Sequence, residues 1–321
     1  MKTTHLVAAA TAAAVLAAGA ASARDQIRIV GSSTVFPFAT AVAEQFGRTS
    51  DFKTPVIEST GSGGGLKLFC AGVGVEHPDI TNASRRMKPS EFELCQENGV
   101  TDITEVRIGF DGIVIGNAMS GATLDLTLEQ IWTALAADGP QPTMWNEVDP
   151  SLPAVKIEVL GPPPTSGTRD AFEELVMEEC CETTDIRTDG AYIESGENDN
   201  LIVSKLQANP NALGIFGYSF LDQNGDAIKG AKVAGVEPTF ENIADGAYPV
   251  SRSMYFYIKK AHVDVIPGMM EYVAEFISDG ASGDEGYLAD KGLIPLPADA
   301  FAAQTQSVMA LTNMTADDFD K

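Results

Sequence analysis

Histidine is scarce in this chain, with three in 321 residues. Only His77 and His262 lie beyond the opening segment, and neither has the spacing of a hydrolase triad or a zinc set. Both read as lone surface histidines. Cysteine is also sparse: there are four, and no Cys-x-x-Cys pair. Basic residues are few, 21 Lys and Arg against 45 Asp and Glu, for a formal net charge of -24. That balance excludes nucleic acid and anionic membrane surfaces as partners. It also repels an anionic ligand at long range, so any anion site must rely on short-range donors. After the opening segment no apolar run is long enough to cross a bilayer, and no direct membrane insertion is expected. The absence of a short-period repeat argues against a solenoid.

The opening segment reads as a signal peptide over residues 1–23. Lys2 is followed by an Ala/Val/Leu-rich stretch and then by Ala21-Ser22-Ala23, a small-x-small cleavage site. The mature chain is expected to begin at Arg24. No Cys lies near the cleavage site, which argues against a lipid anchor. The product is a soluble exported protein, most simply of a bacterial periplasm. In such an oxidising compartment an even cysteine count suggests disulfides. Cys70 and Cys95 are the expected pair; the state of the adjacent Cys180 and Cys181 stays open.

The remaining length suits two domains. Short β-branched runs alternate with helical spacing along the whole chain. Strands are expected at residues 27–30, 56–59, 80–83, 155–160 and 212–218. Helices are expected at 39–46, 66–71, 89–94, 128–136, 201–207, 268–278 and 300–311. Such alternation predicts an α/β fold with mostly parallel sheets. Two longer β runs, residues 106–117 and 253–259, suit crossings between lobes. Residues 24–109 and 255–321 would then form lobe 1 and residues 110–254 lobe 2, with ligand in the interlobe cleft.

Three segments share one grammar of strand, Ser/Thr/Gly turn and helix. They are Ser32-Ser33-Thr34, Gly61-Ser62-Gly63 and Thr165-Ser166-Gly167-Thr168. Each offers hydroxyls and unpaired helix N–H groups, which attract anions. Any one of them alone reads as a plain N-cap. A fourth segment, Ser84-Arg85-Arg86, adds guanidinium, which matches oxyanions bidentately. Rival motifs fail on spacing: Leu66 stands where a P-loop needs Lys, and Thr60 where a nucleophile elbow needs Gly. Asp222-Gln223-Asn224-Gly225-Asp226 lacks the order of a calcium loop and reads as a polar turn. No metal or cofactor is expected.

Gly31-Ser32-Ser33-Thr34-Val35-Phe36-Pro37, Thr60-Gly61-Ser62-Gly63-Gly64-Gly65, Ala83-Ser84-Arg85, Asp111-Gly112-Ile113, Ser166-Gly167-Thr168 and Tyr248-Pro249 occur in that order. Together they resemble the periplasmic phosphate-binding proteins of phosphate-specific ABC transporters. The resemblance covers essentially all of the mature chain. It implies a two-lobed type II periplasmic binding fold with two crossovers, no catalysis, inorganic phosphate as ligand and an inner-membrane ABC permease as partner. It also implies that Ser33, Thr34, Val35 (through its backbone), Ser62, Ser166, Gly167 and Thr168 donate to phosphate.

Two positions depart from the family. Pro162 stands where many relatives carry the binding Arg, which leaves Arg85 or Arg169 as the expected cation, Arg85 first. Arg85 in turn stands where some relatives carry the Asp that accepts the proton of hydrogen phosphate. Asp170 and Asp199 are the remaining candidates for that acceptor. Another tetrahedral oxyanion, sulfate or molybdate, is the alternative ligand. A secreted phosphatase or serine hydrolase using Ser62 or Ser166 is the alternative from another class.

Overall fold

The computed structural model describes residues 24–164, 166–183, 185–196 and 199–320. The expected signal peptide lies outside the described residues. In the first third, β-branched runs and helical stripes alternate as β1 (Arg28–Gly31), α1 (Phe36–Thr49), β2 (Val56–Ser59), α2 (Ser62–Phe69), β3 (Ile80–Ala83) and α3 (Pro89–Glu97). Pro37 lies in the first turn of α1 and Pro89 in that of α3, where a missing N–H breaks no helical bond. The long apolar run becomes β4 (Ile103–Ala118), followed by β5 (Asp125–Leu126), α4 (Leu128–Leu135) and α5 (Trp145–Val148). Then come β6 (Val159–Gly161), α6 (Gly167–Phe172), β7 (Tyr192–Glu194), β8 (Leu213–Gly217), β9 (Ile228–Gly230), β10 (Lys232–Val233) and β11 (Ser251–Lys259).

These strands build one nine-stranded sheet in the order β2-β1-β3-β11-β4-β8-β6-β7, with β9 also on β4 and β10 paired separately with β5. β1 runs parallel to β2 and β3, and β6 runs parallel to β7 and β8. β11 lies antiparallel between β3 and β4. β4 changes partner along its length: Ile103 to Gly112 pair with β11, and Ile113 to Gly116 pair with β8. Asp111 therefore sits at the changeover, directly opposite Arg252 of β11.

Separate apolar clusters cover the two ends of this sheet. Ile29, Phe46, Phe256 and Phe276 belong to one, and Trp145, Phe172, Ile215 and Tyr248 to another. Phe172 and Val176 are fully buried, with Leu175 partly so. The expected strand at 155–160 shortens to Val159–Gly161. Its first residues bond instead to the loop before α5, through Trp145 N–H to the Val155 carbonyl (2.9 Å) and Ile157 N–H to the Thr143 carbonyl (2.9 Å).

The disulfide between Cys70 and Cys95 is present, and Cys180 is joined to Cys181. His262 corrects the sequence reading. It is buried at 1% exposure, and its Nδ1 lies 2.5 Å from Asp79 Oδ1. Asp79 also accepts from the Arg24 guanidinium (2.7 Å) and the Arg28 N–H (2.7 Å), so the ring serves a buried polar network.

Candidate functional site

Each of the three Ser/Thr/Gly turns follows a parallel strand and opens a helix. β1 ends at Gly31, whose φ is +127° and where a Cβ would lie 2.1 Å from the Asn82 carbonyl oxygen. Only glycine lets the backbone pass there. Ser32 then closes the turn: its N–H donates to the Asn82 carbonyl (3.0 Å) and its Oγ accepts from Val35 N–H (3.3 Å). The Ser33 hydroxyl donates to Asp170 Oδ2 (2.8 Å), and Thr34 Oγ1 accepts from Arg252 Nη2 (2.7 Å). The first turn thus reaches α6 and β11, both distant in sequence.

α6 carries the third turn. Ser166 caps it, its Oγ accepting from Thr168 N–H (3.2 Å). The helix continues as a π-helical segment, Glu173–Glu178, and then as Glu179–Cys181. A Cβ on Gly167 would lie 3.4 Å from Thr34 Cα, so the first and third turns face each other. A cavity of about 170 Å³ lies there, lined among others by Thr34, Asp111, Ser166, Gly167, Thr168 and Lys291. Thr165 lies outside the described residues, as does the Asp199 side chain.

The second turn forms a corner beside β3, packed on the first turn: a Cβ on Gly65 would lie 2.4 Å from Gly31 Cα. Gly61, at φ +72°, precedes α2, and Ser62 Oγ accepts from Ser84 N–H (3.0 Å) with the Ser84 hydroxyl also 3.0 Å away. Arg85 stays in this corner: it forks onto Glu91 at 2.9 and 2.8 Å, and its Nη1 also donates to the Arg86 carbonyl (3.1 Å). The Glu91 hydrogen bond is the main cause that raises the Arg85 pKa. Burial opposes the charge of Glu91, but bonds from Arg85 and the Lys88 N–H outweigh it and lower its pKa.

The other expected cation, Arg169, donates through Nε to Glu173 (2.5 Å) and lies 4.5 Å over the Tyr192 ring. No arginine is among the residues lining the cavity, whose one cationic side chain is Lys291.

Sequence reasoning missed a third arginine. Arg252 is 7% exposed in its side chain, bonds Thr34 and Glu174, and holds Nε 3.6 Å from Asp111 Oδ2. The Asp111 side chain is 13% exposed. Burial pushes its pKa up, and Arg252 opposes that rise. Tyr248-Pro249, just upstream of Arg252, and the Asp111-Gly112-Ile113 motif were the signals available.

The donor chemistry at the cavity favours an anion. Thr34 and Ser166 each accept one protein hydrogen bond, and a hydroxyl engaged in that way has its own proton left to donate. A larger cavity, about 540 Å³, is lined partly by Asp222, Asp284 and Asp290 and by no Lys or Arg. Three carboxylates without a cation repel an anion, so volume does not decide the site.

A PBP superfamily domain spans residues 16–280. The chain belongs to this superfamily. Protein SphX of Synechococcus elongatus is 30% identical over 299 residues, 89% of this chain and 82% of the relative. Phosphate-binding protein PstS of Staphylococcus saprophyticus is 30% identical over 280 residues, 85% and 81% of the two chains. A solved structure of a possible phosphate binding protein from Planctomyces limnophilus superposes with a TM-score of 0.79 at 29% identity, over 90% of this chain and 99% of that one. The PBP superfamily fold of this chain is accordingly the type II periplasmic binding fold expected from its motifs.

Proposed function

We infer that this protein is a receptor that captures inorganic phosphate outside the cytoplasm and delivers it to the permease of an ABC transporter. The observation that carries this reading is the cavity where the Thr34 and Ser166 hydroxyls meet the Gly167-Thr168 helix start. It offers donors from two segments to one small anion, as the chain's strong negative charge requires. The names of the relatives point the same way: PstS of Staphylococcus saprophyticus is a phosphate-binding protein. A putative phosphate ABC transporter substrate-binding protein from Clostridium perfringens, solved with bound phosphate, is 29% identical with a TM-score of 0.53, over 85% of this chain and 100% of that one.

Thr34, Ser166, Gly167 and Thr168 line the cavity and head the proposed donor set; Ser33, the Val35 backbone and Ser62 belong to it only if Ser33 gives up Asp170 and Ser62 gives up Ser84. The proposed lobes are residues 24–109 with 255–321, and residues 110–254. The change of partner along β4 supports that division. Export through the 1–23 signal and residence in the periplasm belong to the same reading. The function is binding rather than catalysis, in keeping with the family, and neither His77 nor His262 lines the cavity as a general base.

The test is calorimetry on protein stripped of ligand by unfolding and refolding. Phosphate is expected to bind one to one, with sulfate far weaker. Equal binding of both ions, or no heat with phosphate, overturns the reading. Turnover of a chromogenic phosphate ester would support the hydrolase alternative instead.

A further inference from the structure

Two disulfides stand in opposite settings. Cys70 and Cys95 are 25 positions apart, fully buried, and enclosed by Leu66, Phe69 and Phe92 of one apolar cluster. Cys180 and Cys181 are neighbours in sequence and half-buried, at the C-terminal end of the helical stretch that opens at Ser166. Adjacency works against the second bond. A trans peptide holds consecutive Cα atoms about 3.8 Å apart, below the roughly 4.4–6.8 Å that an ordinary disulfide spans. Adjacent side chains on a helix also point in different directions, so the bond draws them together against the helix. The helix ends at once, with Glu182 in the left-handed region at φ +56°. Disulfides that are exposed and poorly fitted are the ones that thiols open, whereas well-fitted structural ones resist reduction.

The charge around the pair is of one sign. Glu178, Glu179 and Glu182 flank it and are exposed, and no Lys or Arg lies between Arg169 and Arg187. Arg187 is itself tied to Asp189 and to the Ala134 and Pro142 carbonyls. The last carbonyls of the helix add the negative end of its dipole. A thiol that carries net negative charge is repelled there in dilute salt.

We propose that Cys180–Cys181 is a thiol–disulfide exchange site for thiols without net negative charge, while Cys70–Cys95 is a structural bond. This role is separate from phosphate capture. With a dithiol, one thiolate attacks one sulfur of the pair, forming a mixed disulfide and releasing the other sulfur as a thiolate. The second thiol of the dithiol then attacks its own partner sulfur, and the dithiol leaves as a cyclic disulfide. Two electrons and two protons pass to Cys180 and Cys181, which end as thiols. The reverse reaction with an oxidised dithiol restores the bond.

The test exposes native protein, purified without reductant, to graded dithiothreitol in the absence of denaturant. Free thiols are then labelled with iodoacetamide and located by peptide mapping. Cys180 and Cys181 are expected to label together at dithiol concentrations at least about tenfold below those that open Cys70–Cys95. The double variant Cys180→Ser, Cys181→Ser is expected to take up no label over that range; if it does not fold, the labelling order in the parent decides. Labelling of Cys70 and Cys95 at the same concentration, or free Cys180 and Cys181 thiols before any dithiol is added, overturns the site. A second arm compares the rates of mixed-disulfide formation with cysteamine, a cation, and glutathione, a net anion. Their ratio is expected to fall by about tenfold between about 0.01 M and 1 M salt, and by less in the triple variant Glu178→Gln, Glu179→Gln, Glu182→Gln. A ratio that salt leaves unchanged overturns the preference for thiols without negative charge.

Discussion

Arg85 and Arg252 sit at the same end of two neighbouring strands, β3 and β11, and have different hydrogen-bond partners. Arg85 comes from the loop after β3, next to a motif, and its guanidinium is met by both oxygens of Glu91. Arg252 comes from an antiparallel strand far along the chain, and its guanidinium is shared among Glu174, Thr34 Oγ1 and the buried Asp111 carboxylate. Arg85 meets one carboxylate through a fork, whereas Arg252 links three separate elements of the fold.

The contrast is most directly broken by unfolding data. Truncating Arg252 is expected to cost about 3–5 kcal/mol of stability, as for removal of one partner of a buried charge pair. Truncating Arg85 is expected to lower stability by about 1 kcal/mol or less. Equal losses in urea would erase the difference between the two arginines.

The brace of the Arg85 corner gives the next effect. The Cys70–Cys95 bridge ties the end of α2 to α3, and both residues are fully buried. Replacing both with Ala is expected to lower unfolding free energy by about 2–4 kcal/mol in urea. If that corner is mainly structural, phosphate affinity of the folded variant changes little. A marked loss of affinity would show that this corner also serves the ion.

A smaller effect belongs to the third turn. Ser166→Ala removes the N-cap of α6 and is expected to cost about 1 kcal/mol of stability. Its effect on phosphate affinity should exceed that of Ser62→Ala, because Ser62 is already tied to Ser84. Equal losses would put both turns on the ion.

A separate, pH-dependent effect concerns a second buried cation on β11. Lys259 donates to the Gly72 carbonyl (2.6 Å), and burial pulls its pKa down from 10.5 to about 8. The folded state thus loses this proton before the unfolded state does. Between about 8 and 10.5 the unfolded chain binds more proton, so this residue's contribution to stability rises with pH. Below about 8 both states hold the proton and the contribution is flat. Melting of parent against Lys259→Met across that range checks the sign, since the variant lacks the rise.

Much of this was legible in the sequence. Strand–turn–helix grammar located all three turns, because local hydroxyls, glycines and apolar spacing specify a helix start within a few residues. The pairing of Cys70 with Cys95 was expected from an even cysteine count and from their places in two successive helical segments. What escaped were contacts that depend on long-range register. Nothing near Arg252 announces Asp111 or Thr34 as its neighbours; they meet only because β11 lies against β4 and α1 opens beside it. His262 was misread for the same reason, since its partner Asp79 is 183 positions away.

The insertion of β11 between β3 and β4 also bears on how the chain assembles. The first part of the chain to be synthesised completes β1, β2 and β3 but leaves one edge of β3 without its neighbour. That neighbour is translated near the end, after the whole second half of the sheet. Until it arrives, an open strand edge is exposed to pairing with other chains. The loop to be closed is long, which slows the final step relative to formation of the local units. A chain that stops before Ser251 lacks the strand that seals this edge. Truncated copies are therefore expected to stay unsealed.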